Sequence, residues 1–212
     1  VVSGTDNILG VCVANGVNDG ILACRAPSSG SAYLHYWDTG TQSWIAVTTS
    51  GSPTMTGVTK VRFTKYNWGS PKVLLTDGIN PAATYDGTTY TQITHADAPS
   101  APTFSHVFKN HLFLAGDPSE PTNFYFSAPY DETDFSSASG ANVINVGFPI
   151  VAIKSFRDVL YIFGTNNIRK LAGNNISDFV LQEVTDDLGC LASDSVIEIG
   201  GDLLFLSQDG LR

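Results

Sequence analysis

Apolar and polar residues alternate along most of this chain, and clusters of Gly, Asn, Asp, Ser and Pro break the alternation roughly every five to eight residues. The pattern predicts short strands joined by tight turns. A first group reads ILGVCVA (8–14), ILACRA (21–26), AYLHYW (32–37) and WIAVT (44–48). A second reads TKVRFTKY (59–66), KVLLTD (72–77), AATYD (82–86) and YTQIT (90–94). A third reads FSHVF (104–108), HLFLAG (111–116), NFYFSA (123–128) and VINV (143–146). A fourth reads IVAIKSF (150–156), VLYIFG (159–164), NIRKLAG (167–173) and FVLQEV (179–184). A fifth opens with SVIEI (195–199) and LLFLS (203–207) and runs into QDGLR.

Each full group holds four strands, and its second strand is the most apolar. Aligning those second strands places Ile21, Val73, Leu112, Leu160 and Leu203 in one register, spaced by the roughly 40–50 residues of a four-stranded repeat. The hairpin YLHYWDTGTQSWIAV (33–47) returns in looser form as AATYDGTTYTQIT (82–94), which are then the third and fourth strands of successive repeats. A lone sheet leaves two faces to hide, and stacking sheets hides them. The expected fold is therefore all-β: a β-propeller of four-stranded antiparallel blades, with a β-sandwich as the competing architecture. Blades are expected at about 8–48, 58–94, 103–146 and 150–184, with an incomplete one at 193–212. Four full groups are followed by half of one, so either the last residues pair with a strand elsewhere or the chain is part of a longer protein; the second is the preferred reading, and it makes the chain one partial propeller. The start at Val1-Val2, without Met, is consistent with a lost leading segment.

Composition sharpens the picture. Charged residues make up only 15% of the chain, fewer than long helices would want. The formal net charge is -9, with 11 Lys and Arg in 212 residues, too few to neutralise a nucleic-acid backbone. No apolar run approaches the roughly 18–20 residues of a membrane helix. The three cysteines give no disulfide framework. Cys12 and Cys24 are expected nearly opposite each other on one hairpin, as two small buried hydrophobes or as a cross-strand disulfide. Cys190 is expected to pack.

The search for chemistry returns structural readings. WDTGTQSW (37–44) resembles the Asp-box turn of sialidases, with Tyr36 where that pattern has Ser and one extra residue before Trp44; the box is a hairpin device and not a catalytic one. Glycoside hydrolysis needs two facing carboxylates, whereas Asp186 and Asp187 are adjacent and point apart, as in a solvated linker. Arg25, Arg62, Arg157 and Arg212 are scattered. His35, His95, His106 and His111 have no metal-ligand spacing, although His106 and His111 flank one turn. The segment 117–135, DPSEPTNFYFSAPYDETDF, supplies Asp117, Glu120, Asp131, Glu132 and Asp134; of these Asp131, Glu132 and Asp134 are the calcium candidates, set against a solvated insertion. Asn175-Ile176-Ser177 matches a glycosylation tripeptide. No catalytic residue and no cofactor is expected, and the chain is expected not to be an enzyme.

From His106 onward, FKNHLFLAGDPSEPTNFYFSAPYDETDF (108–135), IVAIKSFRDVLYIFGTNNIRKLAG (150–173) and LGCLASDSVIEIGGDLLFLSQDGLR (188–212), with the earlier VLLTDGINPAATYDGTTYTQI (73–93), resemble the tail-nozzle or tail tubular protein B family of short-tailed phages. The first fifty or so residues match less well. The resemblance implies a structural virion protein: a ring-forming subunit, hexameric, that continues the DNA-ejection channel of a phage tail. It would be assembled in the host cytoplasm and would contact a tail adaptor and a tail fibre or needle protein. DNA would pass without specific binding, which an acidic lining would help, and this chain would not insert into a membrane. The alternatives are a head–tail junction hub protein, a carbohydrate- or protein-binding propeller module using Tyr33, Trp37, Trp44 and Trp68, and a glycosidase.

Overall fold

The computed structural model describes residues 7–26, 31–47 and 55–212, and among these the regular elements are strands apart from two single-turn segments at Ser137–Ser139 and Ser193–Ser195. The first sheet holds β1 (Asn7–Val13), β2 (Ile21–Ala26), β3 (Tyr33–Asp38) and β4 (Ser43–Ala46). The second holds β5 (Arg62–Asn67), β6 (Pro71–Thr76), β7 (Ala83–Tyr85) and β8 (Tyr90–Gln92). The third holds β9 (Phe104–Phe108), β10 (His111–Asp117), β11 (Glu120–Phe126) and β12 (Asn142–Asn145). The fourth holds β13 (Ala152–Phe156), β14 (Val159–Phe163), β15 (Ile168–Ala172) and β16 (Val180–Thr185). Within each sheet the spatial order is the chain order, with every strand pairing to its sequence neighbour. Val1, Val2 and Thr48, the expected end of the fourth strand, lie outside the described residues.

Turn chemistry sets this order. Lys109-Asn110 and Arg157-Asp158 close β9–β10 and β13–β14 with φ of 47° and 65° in both. Two successive left-handed residues make a type I′ turn, whose twist matches that of the strands it joins.

The chain divides into two compact units, Val1–Thr94 with Ser100–Ser105, and His95–Pro99 with His106–Arg212. In the first, Cys12, Leu22, Cys24 and Leu34 of the first sheet share a core with Val61, Val73, Leu75 and Tyr85 beside and within the second. In the other, Phe113 of β10 stacks on Phe124 of β11 with ring centroids 4.9 Å apart. Ala152, Phe163 and Ile168 of the fourth sheet pack with Cys190 and Phe205. Gly189 marks the tightest approach there, since a Cβ at that position would sit 2.3 Å from the Gly164 carbonyl oxygen.

The expected register fails in the first sheet and holds in the later hairpins, where Leu160 and Leu203 stand opposite Ser155 and Glu198, each one pair from the turn. Val73, Leu112 and Leu160 are wholly buried, while Ile21 is exposed and Leu203 is half-buried. Ile21 pairs with Val13 on the face of the first sheet turned away from its core. Leu203 belongs to a two-stranded hairpin, β17 (Ile197–Ile199) with β18 (Asp202–Leu204).

Three further expectations are corrected. The predicted strand 203–207 is broken at Phe205, and the terminal residues do form another strand: β19 (Leu206–Ser207) pairs with β20 (Gly210–Leu211), flanked by reciprocal bonds between Phe205 and Arg212. Segment 117–135 is not a solvated insertion. Asp117 pairs with Glu120 across a hairpin turn, and Asp117, Glu132 and Phe135 are buried. Cys12 and Cys24 do not face each other. The loop closed by the Ala14–Gly20 bond sets Cys12 opposite Leu22 and Cys24 opposite Gly10, so they share a face diagonally, and both are free thiols.

Candidate functional site

The acidic side chains that sequence offers for chemistry are engaged locally. Asp131 Oδ1 accepts hydrogen bonds from the Thr133 amide (2.9 Å), the Thr133 hydroxyl (2.8 Å) and the Asp134 amide (3.2 Å). Asp134 accepts from the Ser136 amide at 2.7 Å; the Ser139 hydroxyl and that amide hold its carboxyl below the usual range. Of the calcium candidates, Asp131 and Asp134 therefore cap their own loop, Glu132 between them is buried, and among the described residues no three His, Cys, Asp or Glu side chains gather as a metal site.

The same device recurs at other turns. Asp38 accepts from the amide and hydroxyl of Thr41 at 2.7 and 3.0 Å. Asp77 accepts from the Ile79 and Asn80 amides, and Asp86 from those of Thr88 and Thr89. These are Asx-type turns, in which the carboxylate replaces a backbone carbonyl. The Asp-box-like hairpin shows it fully: Trp37 and Trp44 meet edge to face at 5.8 Å across the strands. Its left-handed residue is Gln42, at φ 51°, and not Gly40. Asp186 and Asp187 are exposed in the bend after β16, as expected of a solvated linker, and Asn167 and Arg169 donate to Asp186 at 2.7 and 2.6 Å.

The first strands β1, β5, β9 and β13 carry no Asp or Glu, so the net charge of -9 does not line them.

The histidines are also separately employed. His106 Nε2 accepts from the Ser155 amide at 3.2 Å and lies 2.7 Å from the Ser155 hydroxyl. Burial, reinforced by Lys154, pulls its pKa down to about 4. His111 Nδ1 sits 2.6 Å from the Ser127 carbonyl oxygen, to which it donates. The two therefore serve different neighbours and form no pair. His35 is buried on the first sheet, and its burial lowers its pKa. His95 approaches Asp97 and Asp134, each at 3.8 Å.

What the first unit does offer is concavity. A cleft of about 310 Å³ opens where the β1–β2 loop meets the β5–β6 hairpin. Val13, Ala14, Val17 and Pro71 supply apolar wall; Asn15 and Asn67 supply amides; Lys65 and Lys72 supply charge. Lys65 pairs with Val73 and Lys72 with Tyr66, so the two lysines stem from opposite faces of the hairpin. Gly16, at φ 86°, lets the loop lie on Pro71, whose Cγ is 2.8 Å from where a Cβ would stand. Asn18 fixes the far side, accepting from the Tyr85 hydroxyl at 2.8 Å and donating to the Gly87 carbonyl at 3.0 Å. Sequence reasoning missed this cleft, because it joins two turns about fifty residues apart that share no motif.

The outer face of the first sheet is the other unusual surface. The register places Val11, Val13, Ile21, Tyr33, Trp37 and Trp44 on it, with Val11 61% and Val13 58% exposed.

No family model and no curated protein matches this chain. Solved structures do. The chain superposes on BBS1N from its crystal structure in complex with ARL6DN, with a TM-score of 0.56 at 14% identity, covering 100% of this chain and 66% of that one. The architecture is a β-propeller. A chain of the nidogen/laminin complex matches with a TM-score of 0.55 at 10% identity, covering 96% of this propeller chain and 73% of that one. Chaetomium thermophilum Raptor matches with a TM-score of 0.55 at 10% identity, covering 99% of this chain and 20% of that one. These likenesses establish the fold, and the chain spans less than two thirds of BBS1N and one fifth of Raptor.

Proposed function

We propose that this chain is a protein-binding β-propeller module, which holds other macromolecules in place and does not transform a substrate. One observation carries the reading: the apolar outer face of the first sheet, where valines, Ile21 and Tyr33 remain exposed. Contiguous exposed apolar surface of this kind marks association sites. The engagement of Asp38, Asp131, His106 and His111 by their own turns and neighbouring strands supports the same view.

A narrower reading rests on the segments at 108–135, 150–173 and 188–212 and their resemblance to phage tail nozzles. In it the partners are identical copies in a hexameric ring, a tail adaptor, and a fibre or needle protein, and the chain resides in the virion. DNA traverses the ring without specific binding. A net charge of -9 suits a conduit that must not retain DNA.

Sedimentation and negative-stain electron microscopy of the polypeptide, alone and with a tail adaptor, test both. Rings support the nozzle reading. Association without rings supports the broader module alone, and strictly monomeric behaviour in both conditions refutes the nozzle. Val11→Glu, on the exposed face, should weaken any association at least about tenfold; unchanged association would refute the role of that face. Binding on a glycan array through Trp37 and Trp44 would replace the protein-binding reading with a carbohydrate one.

A further inference from the structure

The cleft of the first unit carries a charge opposite to that of the chain. The sequence holds 20 Asp and Glu against 11 Lys and Arg, yet Lys65 and Lys72 line this cleft and no carboxylate does. Its wall is apolar, and Val13 at its edge is largely exposed. Its shape is fixed from two sides, by Gly16 on Pro71 and by Asn18 on Tyr85 and Gly87. A concave, pre-formed site with an apolar body and a few polar groups is the usual form of a binding site.

We propose that this cleft receives an acidic, extended segment of a partner protein. An apolar side chain of that segment lies against Val13 and Pro71, a carboxylate meets the Lys65 ammonium, and Asn15 and Asn67 offer amides to its backbone. The lining decides among anions. A free phosphate gains most from arginine forks or a nest of backbone amides, and would leave the apolar wall unused. Nucleic acid needs a track of cations along its backbone, whereas Lys65 offers a single point of charge and Lys72 stems from the other face of the hairpin. A peptide that alternates acidic and apolar side chains uses both kinds of lining.

The inference rests on the protein-binding reading and names a partner chemistry for it. It is tested by titrating the isotope-labelled chain with a short capped peptide of alternating Glu and Val, followed by amide chemical shifts. Peptides of Gln with Val and of Lys with Val serve as comparisons. Saturable shifts are expected at residues 13–17 and 65–72, stronger for the Glu peptide than for either comparison. Affinity should fall at least about tenfold in Lys65→Glu and again at about 0.5 M salt, where screening is nearly complete. Val13→Asp, also at an exposed position, should weaken binding similarly, and urea midpoints verify that both variants fold.

Equal binding of the Lys peptide, binding unaffected by Lys65→Glu, or absence of shifts at the cleft overturns the assignment. Shifts confined to the surface around Tyr33 and Trp37 would overturn it while leaving the protein-binding reading intact. Absence of association in the sedimentation experiment together with absence of peptide binding anywhere on the chain removes that broader reading as well.

Discussion

Acidification should destabilise the second unit through one side chain, His106. Its imidazole is held neutral: Nε2 accepts from the Ser155 amide, and burial, with Lys154 beside it, lowers its pKa from 6.5 to about 4. Unfolding returns the ring to its ordinary value, so between those two pH values the unfolded chain binds more protons than the folded one. Stability must then rise with pH across that window. The contribution is fully present above the unfolded value and is lost as pH falls towards the folded one. A shift of this size corresponds to about 3 kcal/mol in the limit, of which about 2 kcal/mol is lost on going from about pH 7 to about pH 4.5.

Urea unfolding at those two pH values, on the native chain and on His106→Gln, measures the effect. The readout must be far-UV circular dichroism, because Trp37, Trp44 and Trp68 all lie in the first unit and their fluorescence does not report on the second. His35 has its pKa lowered too and loses stability in the same direction, so the difference between the two proteins isolates His106. Turn aspartates such as Asp178, held low by the Asn175 and Asn174 amides, act below the unfolded value of 3.8 and leave the window clear. Parallel pH profiles in the two proteins, or an NMR titration of His106 near 6.5, would refute the reasoning.

Further consequences follow from packing and turns. Phe113→Ala empties a wholly buried aromatic position and should cost about 3–5 kcal/mol in urea unfolding. Gly189→Ala drives a Cβ to 2.4 Å from backbone atoms of Thr165 and should cost about 1–3 kcal/mol, seen as a lower thermal midpoint. Asp38→Ala strips two hydrogen bonds from the Thr41 turn; a loss of about 1 kcal/mol should appear in tryptophan fluorescence. The thiols of Cys12, Cys24 and Cys190 are buried and free, and burial lifts Cys24 to about 12. A thiol-specific disulfide reagent should find all three silent in the folded chain and reactive in denaturant; rapid reaction of the folded chain would contradict the packing.

The fold was legible because its determinants are local. Alternation placed β10 and β14 nearly to the residue, and the dipeptides Lys109-Asn110 and Arg157-Asp158 mark the turns between paired strands. Register was less legible. The shared face of Cys12 and Cys24 is readable from the pattern, but their near-opposite pairing is not what forms, because the bonds inside the Ala14–Gly20 loop, invisible in a pattern of polarity, shift it to a diagonal. Burial also misled where it depends on distant packing: 117–135 reads as a polar insertion, yet Asp117, Glu132 and Phe135 are buried. The cleft was illegible because Val13, Lys65 and Pro71 acquire meaning only once two hairpins meet. The partners of His106 and Asp186 were hidden for the same reason, since Ser155 and Arg169 lie on other strands.

The fold requires successive strands to pair in chain order as four separate four-stranded sheets. Cross-strand proton contacts in NMR test this most directly. Contacts are expected between Leu22 and Tyr36, Leu74 and Thr84, Tyr125 and Val143, and Ile162 and Arg169. A ladder joining strands from different groups of four, as a Greek-key sandwich requires, would contradict this pairing.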